Sequence, residues 1–428
     1  MKQTICTVGD IIYIDKMPDN YDKTPLAEVI KKADVKLFNL ENVLSDKPIY
    51  GSSYCGGVWL LAKEDTLDDT LEFGFNGCSF ANNHTMDYSY EGLFSSLNAA
   101  KSRNLPISGA GKNLEEAADY AVIETPNGKC GLISLCSSFN DAARAGNPSD
   151  NLPGRPGLNP LRFSTVYHIS PEHMKVLREI SEVTHIDGRR NRSRMGGYTP
   201  YAPEGCFGFG DYIFCESEFE GKTSKVNATD MQRTENTIKK ALSECENVII
   251  NIHSHEIKHD TDDEPDDFLI EFARKCIDSG ASAVVGTGTH QLKGIEIYKG
   301  KPIFYSLGNF IFHSDSAFCM PDDYREKYNM PFGLTPKEMI NIRSQNGKRG
   351  LHSDVNNFRS LMPFMTFENG KLTKLVLNPI RLDMHTGFPA LADENETKII
   401  FDYLCKYSKP FGTVLEMENA NIEVKLCD

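Results

Sequence analysis

Five apolar runs in this chain stop at residues able to hold a proton or a metal ion. QTICTV (3–8) leads into Gly9-Asp10, and VKLFNLEN (35–42) carries Glu41. GFNGCSFANNH (74–84) ends in Asn83-His84, NVIINIHSHE (247–256) holds His253 and His255, and ASAVVGTGTH (281–290) ends at His290. Between and around them lie segments predicted to be helical, at 24–33, 88–104, 235–246 and 265–280. The last has carboxylates in its first turn and Gly at its end, as the helix dipole and C-cap rules favour. Short strands alternating with helices specify α/β layers. In an open α/β sheet the C-terminal strand ends form one edge, where ligands bind. Residues far apart in the chain are therefore expected to converge.

Turn signals add hairpins. Pro126-Asn127-Gly128 separates YAVIET from KCGLISLC, Lys299-Gly300 sits inside a predicted hairpin at 293–312, and Asn369-Gly370 inside another at 364–382. Two stretches break the rhythm. Residues 138–215 are rich in Gly, Pro, Asn and Arg, with one clear helix at 171–182, and residues 313–362 are polar and irregular. Both are read as insertions into one catalytic domain spanning 1–428. The first contains GRRNRSR (188–194). Its arginines, Arg189 and Arg190 among them, form either a solvated loop or a flap that presents guanidinium groups to phosphate or carboxylate.

Charge and cysteine usage narrow the function class. Forty-six Lys and Arg against 60 Asp and Glu give a net charge of −14, which argues against general binding of nucleic acid or anionic membrane. No run approaches the length of a membrane-spanning helix, and MKQTICTVGD lacks the apolar core of a secretory signal. The twelve cysteines, from Cys6 to Cys427, are scattered without a CxxC pair. Buried reduced thiols in a cytoplasmic protein are the expectation.

Asp10, Glu41, Asn83, His84, His253 and His290, three histidines, two carboxylates and one asparagine, offer oxygen and imidazole donors without a thiolate. That set suits Mn, Fe or Zn better than Ca. A carboxylate can bridge two ions about 3.5–4 Å apart, an arrangement that activates water. One histidine at a strand end is usually a hydrogen-bonded structural residue, but the coincidence of several such ends favours a metal site.

GD (9–10), NLENVLSD (39–46), ANNHTMDYSYEGL (81–93), GAGKNLEEA (109–117), NIHSHE (251–256) and GIEIYKGKPIFYSLGNFIF (294–312) together resemble the bacterial capsule-synthesis or poly-γ-glutamate-biosynthesis family, CapA type. The resemblance runs from about residue 4 to about 415. It implies the calcineurin-like metallophosphatase fold, a four-layer α/β/β/α sandwich. It also implies that Asp10, Glu41, Asn83, His253 and His290 are metal ligands, with Glu41 bridging. His84 would be a catalytic general acid, and Asp87 would orient it. One departure matters. The family's Gly-His-His-Pro-His pattern reads Gly286-Thr287-Gly288-Thr289-His290 here, so Gly288 stands where a ligand is expected. One or two divalent ions are therefore expected. His255, on the same strand face as His253, either substitutes or touches substrate.

The function so implied is a metal-dependent hydrolase of the phosphoester or glutamyl/amide type, with metal-activated water as nucleophile. Its substrate would be an anionic small molecule or polymer, contacted by His255, Arg189, Arg190 and Asn309. Two alternatives stay open: a non-catalytic accessory protein of capsule polymer synthesis, which Gly288 favours, and a soluble amide-forming enzyme on the same fold. No nucleic-acid partner and no membrane span are expected, and homo-oligomerisation is left open.

Overall fold

The structure, a computed structural model, describes residues 2–261, 263–314, 317–418 and 420–426. Cys427 lies outside the described residues. Among these residues the chain is a mixed α/β protein with a ten-stranded, a six-stranded and a four-stranded sheet, plus two two-stranded pairs. The strand Lys2–Tyr13 runs through the middle of the largest sheet. On one side it pairs in parallel with Val35–Leu40, which in turn pairs with Gly77–Ser79. On the other side its first half pairs antiparallel with Arg359–Glu368 and its second half pairs parallel with Asn309–His313. The six-stranded sheet has Asn247–Ser254 flanked in parallel by Gly128–Cys136 and Ala283–Gly288.

Period-two patterning places these sheets. Val35 and Leu37 point into the same buried cluster as Leu132, Ile249, Val285 and Phe304 of the six-stranded sheet. Phe38 and Leu40 point the other way, onto Leu67 and Leu93 of two helices. Likewise Val248, Ile250 and Ile252 pack on Met231, Phe268 and Phe272 of helices Ala228–Ala241 and Asp267–Asp278. Strands apolar on both faces are what such double coverage requires. His253 follows Ile249 and Asn251 at two-residue steps, so it faces the large sheet just where the shared apolar core ends.

The regularity of Lys2–Tyr13 breaks beside Asp10. Register shifts occur between Thr7 and Asp10 against one neighbour and between Asp10 and Ile11 against the other. Gly9 permits the break, since a Cβ there would stand 1.7 Å from the Gly308 carbonyl oxygen. The Asp10 N–H donates to that same oxygen at 3.1 Å.

Several expectations are corrected. The strand expected over 74–84 is confined to Gly77–Ser79; beyond it the Asn82 and Thr85 side chains bond local backbone and build a turn. The helix expected at 235–246 runs from Ala228 to Ala241, because Asn227 caps it by accepting from the Thr229 and Asp230 N–H groups. Lys299-Gly300 does turn a hairpin, between Ile295–Tyr298 and Lys301–Phe304. The continuation Asn309–His313, however, crosses to the other sheet after Gly308, whose φ is +73°. Asn369-Gly370, both with positive φ, joins Arg359–Glu368 to Lys371–Leu382 as expected.

The first excursion carries three strands of the four-stranded sheet, whose fourth strand, Gly221–Val226, lies just beyond it, and a second helix, Gly188–Met195, in place of a flap at 188–194. The stretch 313–362 is not irregular: it holds helices Asp322–Lys327 and Pro336–Ser344, the latter opened by a Thr335–Glu338 capping box. Cys206 and Cys215 form a disulfide between facing strands, which corrects the expectation of wholly reduced thiols. Among the described residues no helix is long and apolar enough to cross a membrane.

Gly9→Ala is expected to lower the unfolding free energy by about 3 kcal/mol or more, since backbone rather than a flexible side chain must yield. Gly188→Ala, whose Cβ meets only His185 at 3.9 Å, is expected to be neutral or stabilising. Urea unfolding midpoints of the two variants test the contrast.

Candidate metal centre

The ends of both sheets meet at a buried polar cluster. Asp10, Glu41 and His253 are each 0% exposed. His253 Nδ1 lies 3.6 Å from Asp10 Oδ1, and His253 Nε2 lies 3.5 Å from Glu41 Oε1. Asn83 Oδ1 is 2.8 Å from His253 Nε2, and the Asn83 amide donates to the Gly56 carbonyl at 2.9 Å. His255 Nε2 lies 3.2 Å from His253 Nε2. Two donor groups result: Asp10, Glu41 and His253, and then Glu41, His255 and His290. Glu41 belongs to both.

Each donor is held by its neighbours. Asp10 Oδ1 accepts from the Asn39 amide at 2.7 Å, and Asp10 Oδ2 accepts from the Gly288 N–H at 2.9 Å. His290 adopts a φ of +60°, and its Nδ1–H is met by Asn309 Oδ1 at 2.8 Å, which leaves Nε2 for a ligand. The His255 N–H donates to Ser138 Oγ at 2.7 Å. Ser138 also bonds Glu256, which Ser137 and Ser254 hold as well. His84 Nδ1 sits 2.7 Å from Asp87 Oδ2, and Asp87 accepts the backbone N–H groups of Gly56 and Leu60, each at 3.0 Å. His84 Nε2 lies 4.0 Å from Glu41 Oε1.

Glu41 is the anomaly. Among the described residues, both of its carboxylate oxygens are buried without a hydrogen-bond partner. Burial, then the Asp10 and Asp87 carboxylates, push its carboxyl well above the usual carboxylate range. An unpaired buried carboxylate is costly, and a cation between the two donor groups would remove the cost. Burial opposes ionisation of Asp10 too, but the neighbouring His253 and His290 rings and the Asn39 amide hold it below the usual range. Burial, with the other histidines, holds the His255 imidazole well below its ordinary value. Burial lowers His290 to about 4. Both imidazoles are therefore neutral at neutral pH, the form that binds metal.

The residues singled out from sequence divide into two sets. Asp10, Glu41, Asn83, His84, Asp87, His253, His255 and His290 come together. Asn309 is buried, its Oδ1 accepting from His290 and its amide N–H donating to the Asn357 carbonyl, and it is not among the residues that line the cavity. Arg189 and Arg190 are not among the residues that line the cavity. Arg190 pairs with Asp211 and lies 3.9 Å from Asp187, and no residue of 188–194 lines the cavity. That cavity, about 390 Å³, opens on His84, His255 and His290, and its arginines are Arg343 and Arg349. Asn39 was also missed, although its two-residue spacing from Glu41 within a strand-like run was a usable signal. Nothing in the polar 313–362 stretch marked the two arginines.

Gly288 is not a ligand position left empty. Its φ is +112°, its N–H serves Asp10, and a Cβ would stand 2.8 Å from the Ser254 backbone. His255 occupies the neighbouring donor position instead.

Imidazoles and carboxylates converging where the strand ends of two sheets meet define an α/β protein with a candidate metal centre. The family described as bacterial capsule synthesis protein PGA_cap matches residues 4–314, and the chain belongs to that family. It is 28% identical over 437 residues to the uncharacterized protein y4sH of Sinorhizobium fredii, covering 97% of this chain and 91% of that protein. It is 25% identical over 321 residues to the capsule biosynthesis protein CapA of Bacillus anthracis, covering 73% of this chain and 60% of the other. Against the PGA biosynthesis protein CapA of Bacillus subtilis the identity is 23% over 312 residues, with 71% and 62% covered.

Two substitutions test the centre. Glu41→Gln is expected to abolish bound metal, read by elemental mass spectrometry. It should also raise metal-free stability by roughly 1–2 kcal/mol, the order of an unpaired buried polar group. Gly288→His, which introduces the residue that the sequence resemblance implies, is expected to cost about 3 kcal/mol and add no metal; thermal denaturation and metal content check it.

Proposed function

We propose that this protein is a metal-dependent hydrolase of the phosphoester or glutamyl/amide type, associated with capsule or poly-γ-glutamate metabolism. The observation that carries the proposal is Glu41: a buried carboxylate with no hydrogen-bond partner, shared by two groups of donors. Family membership and the names of the Bacillus relatives support the polymer association. The two packed sheets with helices outside them are read as the four-layer metallophosphatase sandwich. The chain is read as one catalytic domain, with the excursions as insertions.

Asp10, Asn83, His253 and Glu41 would hold one divalent ion, and Glu41, His255 and His290 a second, with Mn, Fe or Zn fitting the donors. When bound, the ions supply Lewis acidity and lower the pKa of water. His255 moves from substrate contact to ligand in this assignment. His84 does the proton work. Its Nδ1–H is donated to Asp87, which fixes the ring, and Nε2 faces the cavity beside Glu41. A proton held at Nε2 passes to the leaving atom of the substrate as its bond breaks. Asp87 touches no substrate; the Gly56 and Leu60 N–H groups fix its carboxylate behind His84.

His84→Ala is expected to lower turnover of a cleavable phosphoester or γ-glutamyl amide by about 100-fold or more while metal content stays at the wild-type level. Loss of metal in that variant would make His84 a ligand and overturn its assignment as acid.

A further inference from the structure

The cavity over the metal donors has a second wall of different chemistry. Arg343, in the last turn of helix Pro336–Ser344, and Arg349 line it together with His352. The segment is tied to the donor-bearing strands. Asn357 O accepts from the Asn309 amide and Asp354 Oδ2 from the Gln291 amide, both at 2.9 Å. The Asn357 amide in turn donates to Leu351 O at 2.7 Å. The His352 ring stacks on Phe312 at 4.4 Å, and Phe312 stacks on His290 at 5.4 Å. The wall is thereby fixed relative to the histidines.

Its guanidinium groups lack carboxylate partners. In this acidic chain Arg103, Arg162, Arg325 and Arg359 each pair with Asp or Glu. Among the described residues Arg343 and Arg349 form no ion pair, and both are exposed; Arg343 lies 5.7 Å over the Tyr328 ring. Two arginines without a carboxylate partner, Arg343 beside the Tyr324 hydroxyl, line a cavity that also holds the candidate metal donors, and they match a planar or tetrahedral oxyanion. The wall also lies beyond residue 314, where the family match ends.

We propose that Arg343 and Arg349 bind a second oxyanion of the substrate, a carboxylate or phosphate, at the end away from the group presented to His84 and the metal donors. The substrate is therefore at least a bis-anion, and a cavity of about 390 Å³ admits a small molecule or one end of a polymer. Only the near end rests on the hydrolase assignment; the far end rests on the arginines.

Isothermal titration of the full chain supplied with Mn²⁺ tests this with two probes. γ-Glutamylglutamate carries carboxylates only, and fructose 1,6-bisphosphate carries phosphates. Wild type is expected to bind at least one, and the preferred probe identifies the oxyanion. Arg343→Gln and Arg349→Gln are each expected to weaken that binding about tenfold or more, in the range of one charge-assisted hydrogen bond. Both side chains are exposed, so melting temperatures should stay at the wild-type value. In Glu41→Gln the residual binding should keep its dependence on the arginines. Absence of metal and turnover with arginine-dependent binding intact would sink the hydrolase assignment and leave this one standing. Failure of wild type to bind either probe, or unchanged binding by the double arginine variant, would overturn it.

Discussion

The Asp10 carboxylate joins the two sheets. One oxygen takes the Asn39 amide from the large sheet, and the other takes the Gly288 N–H from the six-stranded sheet. Both bonds are buried and charge-assisted, which places them among the stronger hydrogen bonds available to a protein. The carboxylate reaches that position because the backbone breaks register at Gly9, and Gly9 can do so because it has no Cβ to meet Gly308. Everything on the donor side follows from that alignment: His253 sits against Asp10, Glu41 against His253, and His84 against Glu41.

Much of the donor set was legible in sequence for a simple reason. Asp10, Glu41, Asn83, His253 and His290 each end an apolar run, and buried strands announce themselves by such runs. The layer order was less legible. Asn309 sits in an apolar stretch that reads as one hairpin, yet a single positive-φ residue, Gly308, sends its strand to the other sheet. Local pattern does not record which sheet a strand joins. Asn227 was overlooked as a helix start because the segment after it, ATDMQ, has weak apolar periodicity. Arginine density in 188–194 drew attention to the wrong excursion, since Asp187 and Asp211 neutralise Arg190. Arg343 and Arg349 stand in a polar stretch with no period at all, and only tertiary contacts bring them to the cavity.

The centre also shows how a ligand pattern can change without leaving a hole. With glycine at 288 the backbone turns left-handed and spends its N–H on Asp10. His255, just past the end of the neighbouring strand and secured through Ser138 and Glu256, belongs to one of the two groups that could hold an ion. The stability cost of the buried donors is concentrated at Glu41, where no protein group answers the carboxylate. The apolar core between the sheets supplies the rigidity that keeps such an unfavourable group in place.

The strand Lys2–Tyr13 has a consequence for biogenesis. It precedes both of its late partners in the chain: its first half needs Arg359–Glu368 and its second half needs Asn309–His313. Pairings of such long sequence separation carry a large loop-closure entropy and form late. During synthesis the nascent chain must therefore hold an apolar strand with one edge unpaired until more than three hundred further residues have emerged. An unpaired apolar strand edge of this kind is a template for wrong pairing, so partly made chains carry an aggregation hazard that the finished fold does not.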